Sequence, residues 1–146
     1  MNPFARKLRQ SLRPRRGTEI LEAAFVFPFL LLFVFGTVEY GYYFHVQHTC
    51  AGAAREGARA AIPPGTSDSD VTTAVETIMS GAGFSGRYSS AIQINGATGA
   101  VEDAVSGDSI TVVVTCSWGT VGVSPLNLIG NSTDVIGTAT MRKEGF

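Results

Sequence analysis

An apolar run near the N-terminus limits what this chain can fold into. Ala23 to Val38 is a stretch of 16 uncharged residues. As a helix it would be about 24 Å long, which is shorter than the ~30 Å hydrocarbon core of a bilayer. Starting the run at Ile20 gives 19 residues and about 28 Å, but then it includes the carboxylate of Glu22. The sequence therefore predicts a membrane-spanning helix over about residues 20–38, and its fit depends on how Glu22 is accommodated.

Charges are distributed unequally around this run. Six basic and no acidic residues precede Gly17, whereas five basic and twelve acidic residues follow it. A basic segment ahead of an apolar run stays in the cytoplasm, so residues 1–17 are predicted to be a cytoplasmic leader. The acidic remainder and the adjoining anchor argue against nucleic-acid binding by the leader. A secretory signal peptide is the alternative, but residues 35–44 offer no small-x-small cleavage site.

The helical pattern continues beyond the apolar run. One helix is predicted over residues 18–62, ending before Pro63-Pro64-Gly65, with Pro28 tolerated in its membrane segment. Small and apolar residues share one face of its second half, at Val46, Cys50, Ala53, Gly57 and Ala61. The opposite face carries His48, Gly52, Arg55 and Arg59. An aromatic belt at the membrane surface is predicted at Tyr40, Tyr42 and Tyr43.

Residues 63–146 are predicted to form an external α+β domain. A short helix is expected over residues 71–80, with Ser69 or Asp70 as its N-cap. Its inward face is predicted at Val71, Ala74, Val75 and Ile78. Three strands follow, at residues 90–95, 109–118 and 134–143.

Alternating side chains define the buried face of the last two strands. In residues 109–118 the inward positions are Ile110, Val112, Val114, Cys116 and Trp118. In residues 134–143 they are Val135, Gly137, Ala139 and Met141. We therefore expect an α+β fold in which the small-residue face of the long helix packs on a small antiparallel sheet.

Two motifs resemble a known family. Glu22 is the fifth residue after Gly17, within the segment RRGTEILEAAFVFPFLLLFVFGTVEYG that follows the basic leader. The second motif, AAREGARAA, includes Arg55, Glu56, Gly57 and Arg59. Together they resemble the TadE-like pseudopilins of Flp/Tad pilus assembly systems, which have a type IV prepilin-like N-terminus. The resemblance covers about residues 14–62.

The resemblance implies a pilin-like fold and cleavage by a prepilin peptidase after Gly17, so that the mature chain begins at Thr18. Cleavage would create an ammonium group one helical turn from Glu22. An amine of this kind on a neighbouring subunit could pair with the carboxylate and reduce the cost of removing it from water. Without such a partner, Glu22 would extend toward the membrane surface. A second acid, Glu19, lies closer to the cleavage point.

The implied function is that of a minor pilin-like (pseudopilin) protein supporting assembly of a Tad/Flp-type IVb pilus. Its implied partners are the bacterial inner membrane, the prepilin peptidase, other pilin-like subunits and the Tad machinery, with the C-terminal domain in the periplasm. The alternative is an uncleaved, membrane-anchored periplasmic binding or scaffold domain. The chain itself is predicted to be no enzyme.

Cys50 and Cys116 are the two cysteines of the chain, and both fall on predicted inward faces. An external domain is in an oxidising compartment, so a disulfide between them is predicted, closing a loop of about 66 residues and stabilising by roughly 2–4 kcal/mol. Two buried thiols acting as small apolar side chains are the alternative.

Other short patterns resemble ligand sites without completing them. GAGFSG, residues 81–86, has the spacing of a dinucleotide loop but lacks the preceding strand. His45 and His48 lack further metal ligands. Asp68 and Asp70 lack the glycine and terminal glutamate of a calcium loop. No metal and no cofactor are predicted.

Overall fold

The computed structural model describes residues 16–145. The chain forms two compact units that meet in sequence between Phe35 and Gly36. The predicted α+β class is confirmed, with one long helix followed by a small open antiparallel sheet. The predicted leader, residues 1–17, lies outside the described residues except for its last two positions.

Helix α1, Arg16–Ala60, is 45 residues long and begins two residues before the predicted start. Pro28 lies inside it. The helix ends just before Pro63 and Pro64, because proline has no N–H to donate and disfavours helical backbone in the residue before it. Residues 16–35 of α1 belong to the first unit.

The second unit contains residues 36–60 of α1 and every later element. Helix α2 spans Asp68–Gly81, a 3-10 turn spans Val101–Asp103 and the short helix α3 spans Trp118–Val121. The strands are β1 (Ser89–Ile94), β2 (Ala97–Thr98), β3 (Ser109–Ser117) and β4 (Asp134–Arg142). They form one antiparallel sheet in the order β2-β1-β3-β4, so β3 lies between β1 and β4.

A tight hairpin joins β1 to β2 at Asn95 and Gly96. Their φ angles are 51° and 85°, the positive values that a type I′ turn requires. The Asn95 side chain also holds the start of β3: its Oδ1 accepts the Ser109 N–H at 3.0 Å and its Nδ2 donates to Asp108 at 2.9 Å. The Asn95 amide holds the pKa of Asp108 below its usual value.

The small-residue face of α1 allows the sheet and α2 to approach closely. All five predicted positions of this face are buried. A Cβ added at Gly137 of β4 would overlap the α1 backbone at Cys50 and Ala51. A Cβ added at Gly57 would lie 2.7 Å from Val75 Cγ2 and 3.2 Å from Val112 Cγ1. Side chains larger than hydrogen at these two glycines would push the layers apart.

The start of α2 differs from the prediction of Ser69 or Asp70 as N-cap. The N-cap is Ser67, and Asp70 completes a capping box by accepting the Ser67 N–H at 2.9 Å and its hydroxyl at 2.7 Å. These two hydrogen bonds, the backbone one foremost, lower the pKa of Asp70. The helix therefore begins at Asp68, because the box satisfies N–H groups that the first turn leaves free.

Two predicted inward positions also need correction. Ile78 is exposed, and the buried row of α2 is Val71, Val75 and Met79, which follows the i, i+4, i+8 spacing. Trp118 is buried but belongs to α3 rather than to β3. The strand ends at Ser117, opposite the first residue of β4, and the Trp118 N–H turns to the Thr133 carbonyl at 2.8 Å.

The segment after β4 returns to the end of α1. The Lys143 ammonium is buried and donates to the Ala61 carbonyl at 3.1 Å, and the Glu144 N–H donates to the Ile62 carbonyl at 3.1 Å. A cation at a helix C-terminus satisfies free carbonyls and interacts favourably with the helix dipole. The first and last elements of the second unit are therefore fastened together.

Candidate functional site

The predicted cleavage site lies in the first turn of α1. Gly17 is exposed, and a Cβ there would meet nothing within 4 Å. Gly17 and Thr18 are both helical, so a protease that cuts extended backbone would first have to unwind this turn. Glycine makes unwinding easier, since it destabilises a helix by about 0.5–1 kcal/mol relative to alanine.

Glu22 is exposed one turn after Thr18. That spacing puts its Cα about 6 Å along the helix axis from the Thr18 Cα. Among residues 16–145, Glu22 forms no ion pair; the one salt bridge found there joins Glu56 to Arg59. The carboxylate is therefore available to a partner from outside the described residues.

The apolar run of α1 is uncovered in the first unit. Large side chains from Ile20 to Phe35 are exposed, including Phe25 at 72% and Phe33 at 73%. The segment Glu19–Ala60 is long and apolar enough to cross a membrane, and none of its most apolar window is buried within the chain. A surface of this kind requires lipid or another apolar helix against it.

The AAREGARAA motif contains small residues that pack against the sheet and charged residues that face the surface. Five of its six small residues are buried, at Ala53, Ala54, Gly57, Ala58 and Ala61. Arg55 and Arg59 are exposed. Glu56 lies 3.7 Å from Arg59, with side chains 47% and 73% exposed, so this pair contributes little to stability. The motif therefore supplies a close-packing face for the sheet and leaves two arginines outside.

A buried carboxylate, Glu39, was not predicted from the sequence. Glu39 follows the apolar run directly and is completely buried. Its Oε1 accepts the Ile129 N–H at 2.8 Å and its Oε2 accepts the Leu126 N–H at 3.2 Å. Such bonds to a carboxylate are among the stronger hydrogen bonds in proteins. Glu39 therefore fixes the loop before β4 onto α1. The sequence signal for this role was the position of a charged residue directly at the end of the apolar run.

Two of the three tyrosines predicted to form an aromatic belt also pack against a side chain of the second unit. Tyr42 and Tyr43 are partly buried, and their ring centroids lie 6.1 Å and 5.5 Å from that of Trp118. Trp118 also donates its Nε1–H to Ser124 at 2.9 Å. Tyr40 is half exposed. Two tyrosines thus belong to an aromatic cluster inside the second unit, because α3 brings the indole against α1.

The two cysteines meet between α1 and β3. Cys50 and Cys116 are fully buried thiols, and their Sγ atoms lie 3.2 Å apart. Contact with the Cys116 sulfur, together with burial, raises the pKa of the Cys50 thiol. The fold alone therefore brings the predicted pair into contact. Because both sulfur atoms are buried, external reagents reach them slowly.

The short patterns that resemble ligand sites have structural roles. Gly83 and Gly86 have positive φ in the turn between α2 and β1. Asp68 accepts the Val101 N–H at 2.7 Å, which ties the start of α2 to the 3-10 turn. Across residues 16–145, no group of three His, Cys, Asp or Glu side chains is placed to hold a metal ion.

Comparison with known protein families finds a match at the N-terminal helix. A family model described as TadE-like protein matches residues 17–59. The match begins at Gly17 and ends at Arg59, so it includes most of both motifs on which the predicted resemblance rested, and that prediction is confirmed. No curated protein and no solved structure gives a significant match.

Proposed function

We propose that this chain, TadE-like over residues 17–59, is a minor pilin-like (pseudopilin) protein that supports assembly of a Tad/Flp-type IVb pilus. One observation carries the proposal: the family match starts at the glycine that precedes the exposed apolar run of α1. A pilus-associated role is what the TadE-like match itself suggests. The pseudopilin role, the cleavage and the partner subunits are our additions.

The proposed location is the bacterial inner membrane. Residues 20–38 span it, the basic leader stays in the cytoplasm, and residues 63–146 lie in the periplasm. The exposed apolar surface of α1 supports the span, and the six basic residues before Gly17 support the orientation. In this proposal the chain has no chemistry of its own and is a substrate of the prepilin peptidase.

Glu22 has the proposed role of pairing with a new N-terminus. After cleavage at Gly17, the Thr18 amine of a neighbouring subunit would approach this carboxylate in a region of low dielectric. There the attraction between the two charges is stronger than in water. The exposure of Glu22 and its lack of an ion-pair partner within residues 16–145 support this role.

The exposed charges of the second motif are proposed to face assembly partners. Arg55 and Arg59 lie on the helix face opposite the sheet. Arginine offers several donors in a planar group that suits carboxylates on another subunit. Gly57 has a different proposed role, which is to keep α2 and β3 close to α1.

The test of cleavage is N-terminal sequencing of the full chain extracted from membranes, with and without a co-expressed prepilin peptidase. A start at Thr18 that requires the peptidase supports the proposal. A retained leader under both conditions refutes it and favours the uncleaved periplasmic scaffold.

The test of pairing compares two matched variants. Glu22→Gln is expected to be cleaved normally and to abolish pilus assembly, whereas Glu19→Gln, one turn earlier, is expected to leave assembly intact. Pili on cells carrying the cleaved Glu22→Gln chain would contradict the pairing role, while leaving the cleavage result standing.

A further inference from the structure

The loop that Glu39 holds has the chemistry of a membrane-contacting segment. Residues 117–133 contain no charged side chain. Within them, Val123 and Leu128 are 47% and 48% exposed. The rest of the second unit exposes acids and bases along its helices and turns. An uncharged loop with large apolar residues at its surface is therefore distinct from the remainder of this unit.

The loop lies against the part of α1 where the proposed membrane span ends. A Cβ added at Gly36 would be 3.5 Å from Leu128 Cδ1. Gly36 precedes Val38, the last residue of the proposed span, by two positions, or about 3 Å of helix rise. Exposed apolar residues of α1 continue at this level, with Val38 and Tyr40 each 50% exposed. Leu128 thus lies beside α1 at this level and adds to the same apolar surface as Val38 and Tyr40.

Two backbone N–H groups of the loop, those of Leu126 and Ile129, have a partner within the protein. An irregular segment leaves N–H groups free, and in a bilayer each of these requires a partner within the protein. Glu39 provides one carboxylate oxygen to the Leu126 N–H and the other to the Ile129 N–H. Asn127, between them, has a positive φ of 52°, which turns the chain so that both N–H groups point to the same carboxylate.

From these observations we propose that the tip of this loop, residues 123–128, inserts into the interfacial region of the bilayer that α1 spans. The occupant of the apolar surface is lipid, reached because the surface adjoins the span. Glu39 is a positioning residue: it holds the tip at the membrane by accepting the N–H of Leu126 within the tip and that of Ile129 just after it. The proposal rests on the membrane span of the proposed function, and not on cleavage or on pilus assembly.

A depth measurement tests the proposal with the full chain. Three variants each carry one added cysteine labelled with an environment-sensitive fluorophore. The added cysteine is at residue 128 (Leu128→Cys), at residue 32 (Leu32→Cys) inside the apolar run, or at residue 105 (Val105→Cys). Val105 is a matched control, since it is an exposed apolar loop residue near the end of β4 away from Gly36. The native cysteines are fully buried, and the unsubstituted chain measures their background labelling.

The labelled chains are reconstituted in vesicles of equal parts phosphatidylethanolamine and phosphatidylglycerol. The expected result at residue 128 is a blue-shifted emission, quenching by iodide reduced several-fold relative to residue 105, and quenching by lipids labelled on the upper part of the acyl chain. Residue 32 should be shielded from iodide throughout.

Three outcomes would overturn the proposal. Equal iodide quenching at residues 128 and 105, with residue 32 shielded, means that the span stands and the loop is in water. If residue 128 is shielded from iodide only at a high density of protein in the vesicles, and is not quenched by the labelled lipids, the apolar surface is covered by a second copy of the chain. Iodide access at residue 32 removes the span and the loop proposal with it. None of these results bears on cleavage at Gly17.

The role of Glu39 has a separate readout. Glu39→Gln keeps the size of the side chain but has one acceptor oxygen in place of two, so one loop amide loses its partner. The label at residue 128 should then become several-fold more accessible to iodide, while the labels at residues 105 and 32 are unchanged. Unchanged shielding at residue 128 would overturn the positioning role.

Discussion

The contact between β4 and α1 at Gly137 should tolerate no side chain. A Cβ at this position would overlap the backbone of Cys50 and Ala51. Backbone atoms cannot rotate away as a side chain would, so Gly137→Ala must move the strand, the helix or both. Gly137 is paired with Val114 in the sheet, which resists a local shift of the strand.

The magnitude follows from the kind of contact. Overpacking a core costs typically 1–3 kcal/mol, and because the obstacle at Gly137 is backbone, we expect about 3 kcal/mol. For a domain of this size that corresponds to a fall in the melting temperature of about 10 °C. Gly52→Ala is the matched control, since it lies on the same helix with nothing within 4 Å of an added Cβ. It should stabilise the helix by about 0.5–1 kcal/mol.

The assay is thermal unfolding of the full chain in detergent micelles, followed by tryptophan emission. Trp118 is the one tryptophan of the chain, and it is buried against α1, so its red shift reports loss of packing in the second unit. A Gly137→Ala protein that melts within about 2 °C of the unsubstituted chain, or no lower than Gly52→Ala, would refute the close approach of β4 to α1.

Three further predictions concern stability. If Cys50 and Cys116 are oxidised, reductant should lower the free energy of unfolding by roughly 2–4 kcal/mol; two free thiols, found by alkylating the denatured periplasmic protein, would contradict the bridge. The capping hydrogen bonds lower the pKa of Asp70 in the folded protein from its usual 3.8. The stabilisation that the ionised Asp70 gives the folded state is therefore complete above pH 3.8 and is lost as the pH falls through the lower pKa of the folded protein. Asp70→Asn should make the free energy of unfolding depend less on pH in this acid range. Lys143→Met leaves the Ala61 carbonyl unpaired and should cost about 1–3 kcal/mol in denaturant unfolding, and no change would contradict its buried hydrogen bond.

The sequence was most informative where one face of an element is buried. In β3, apolar side chains alternate from Ile110 to Cys116, and a shift of one residue would expose all of them. The small-residue face of α1 was equally predictable, because five positions at helical spacing leave room for a close neighbour. These two patterns sufficed to predict the α+β arrangement.

Features that depend on distant partners were not predictable. Glu39 accepts N–H groups from residues 87 and 90 positions later, in a loop without periodicity. The packing of Tyr42 and Tyr43 against Trp118 was not predictable for the same reason, since no local sequence pattern indicates helix α3. The Asn95-Gly96 dipeptide is different, because it is a strong local signal for a two-residue hairpin turn and the turn was therefore predictable.

The candidate site was predicted from spacing together with resemblance. The interval from Gly17 to Glu22 has no structural consequence within residues 16–145, because Glu22 is exposed and forms no ion pair there. Its significance comes from the TadE-like match, which begins at the same glycine. Cleavage and pairing stay predictions that the two experiments above can decide.

The fastening of the β4 end to α1 has a consequence for how the second unit folds. Lys143 bonds to a carbonyl 82 positions earlier, and β4 covers the small-residue face of a helix made long before it. Domains dominated by such distant contacts fold slowly, since chain closure precedes most of the stabilising contacts. Until β4 is in place, the small-residue face of α1 would therefore stay uncovered. The interval before closure is when this protein is most exposed to proteolysis and misassembly.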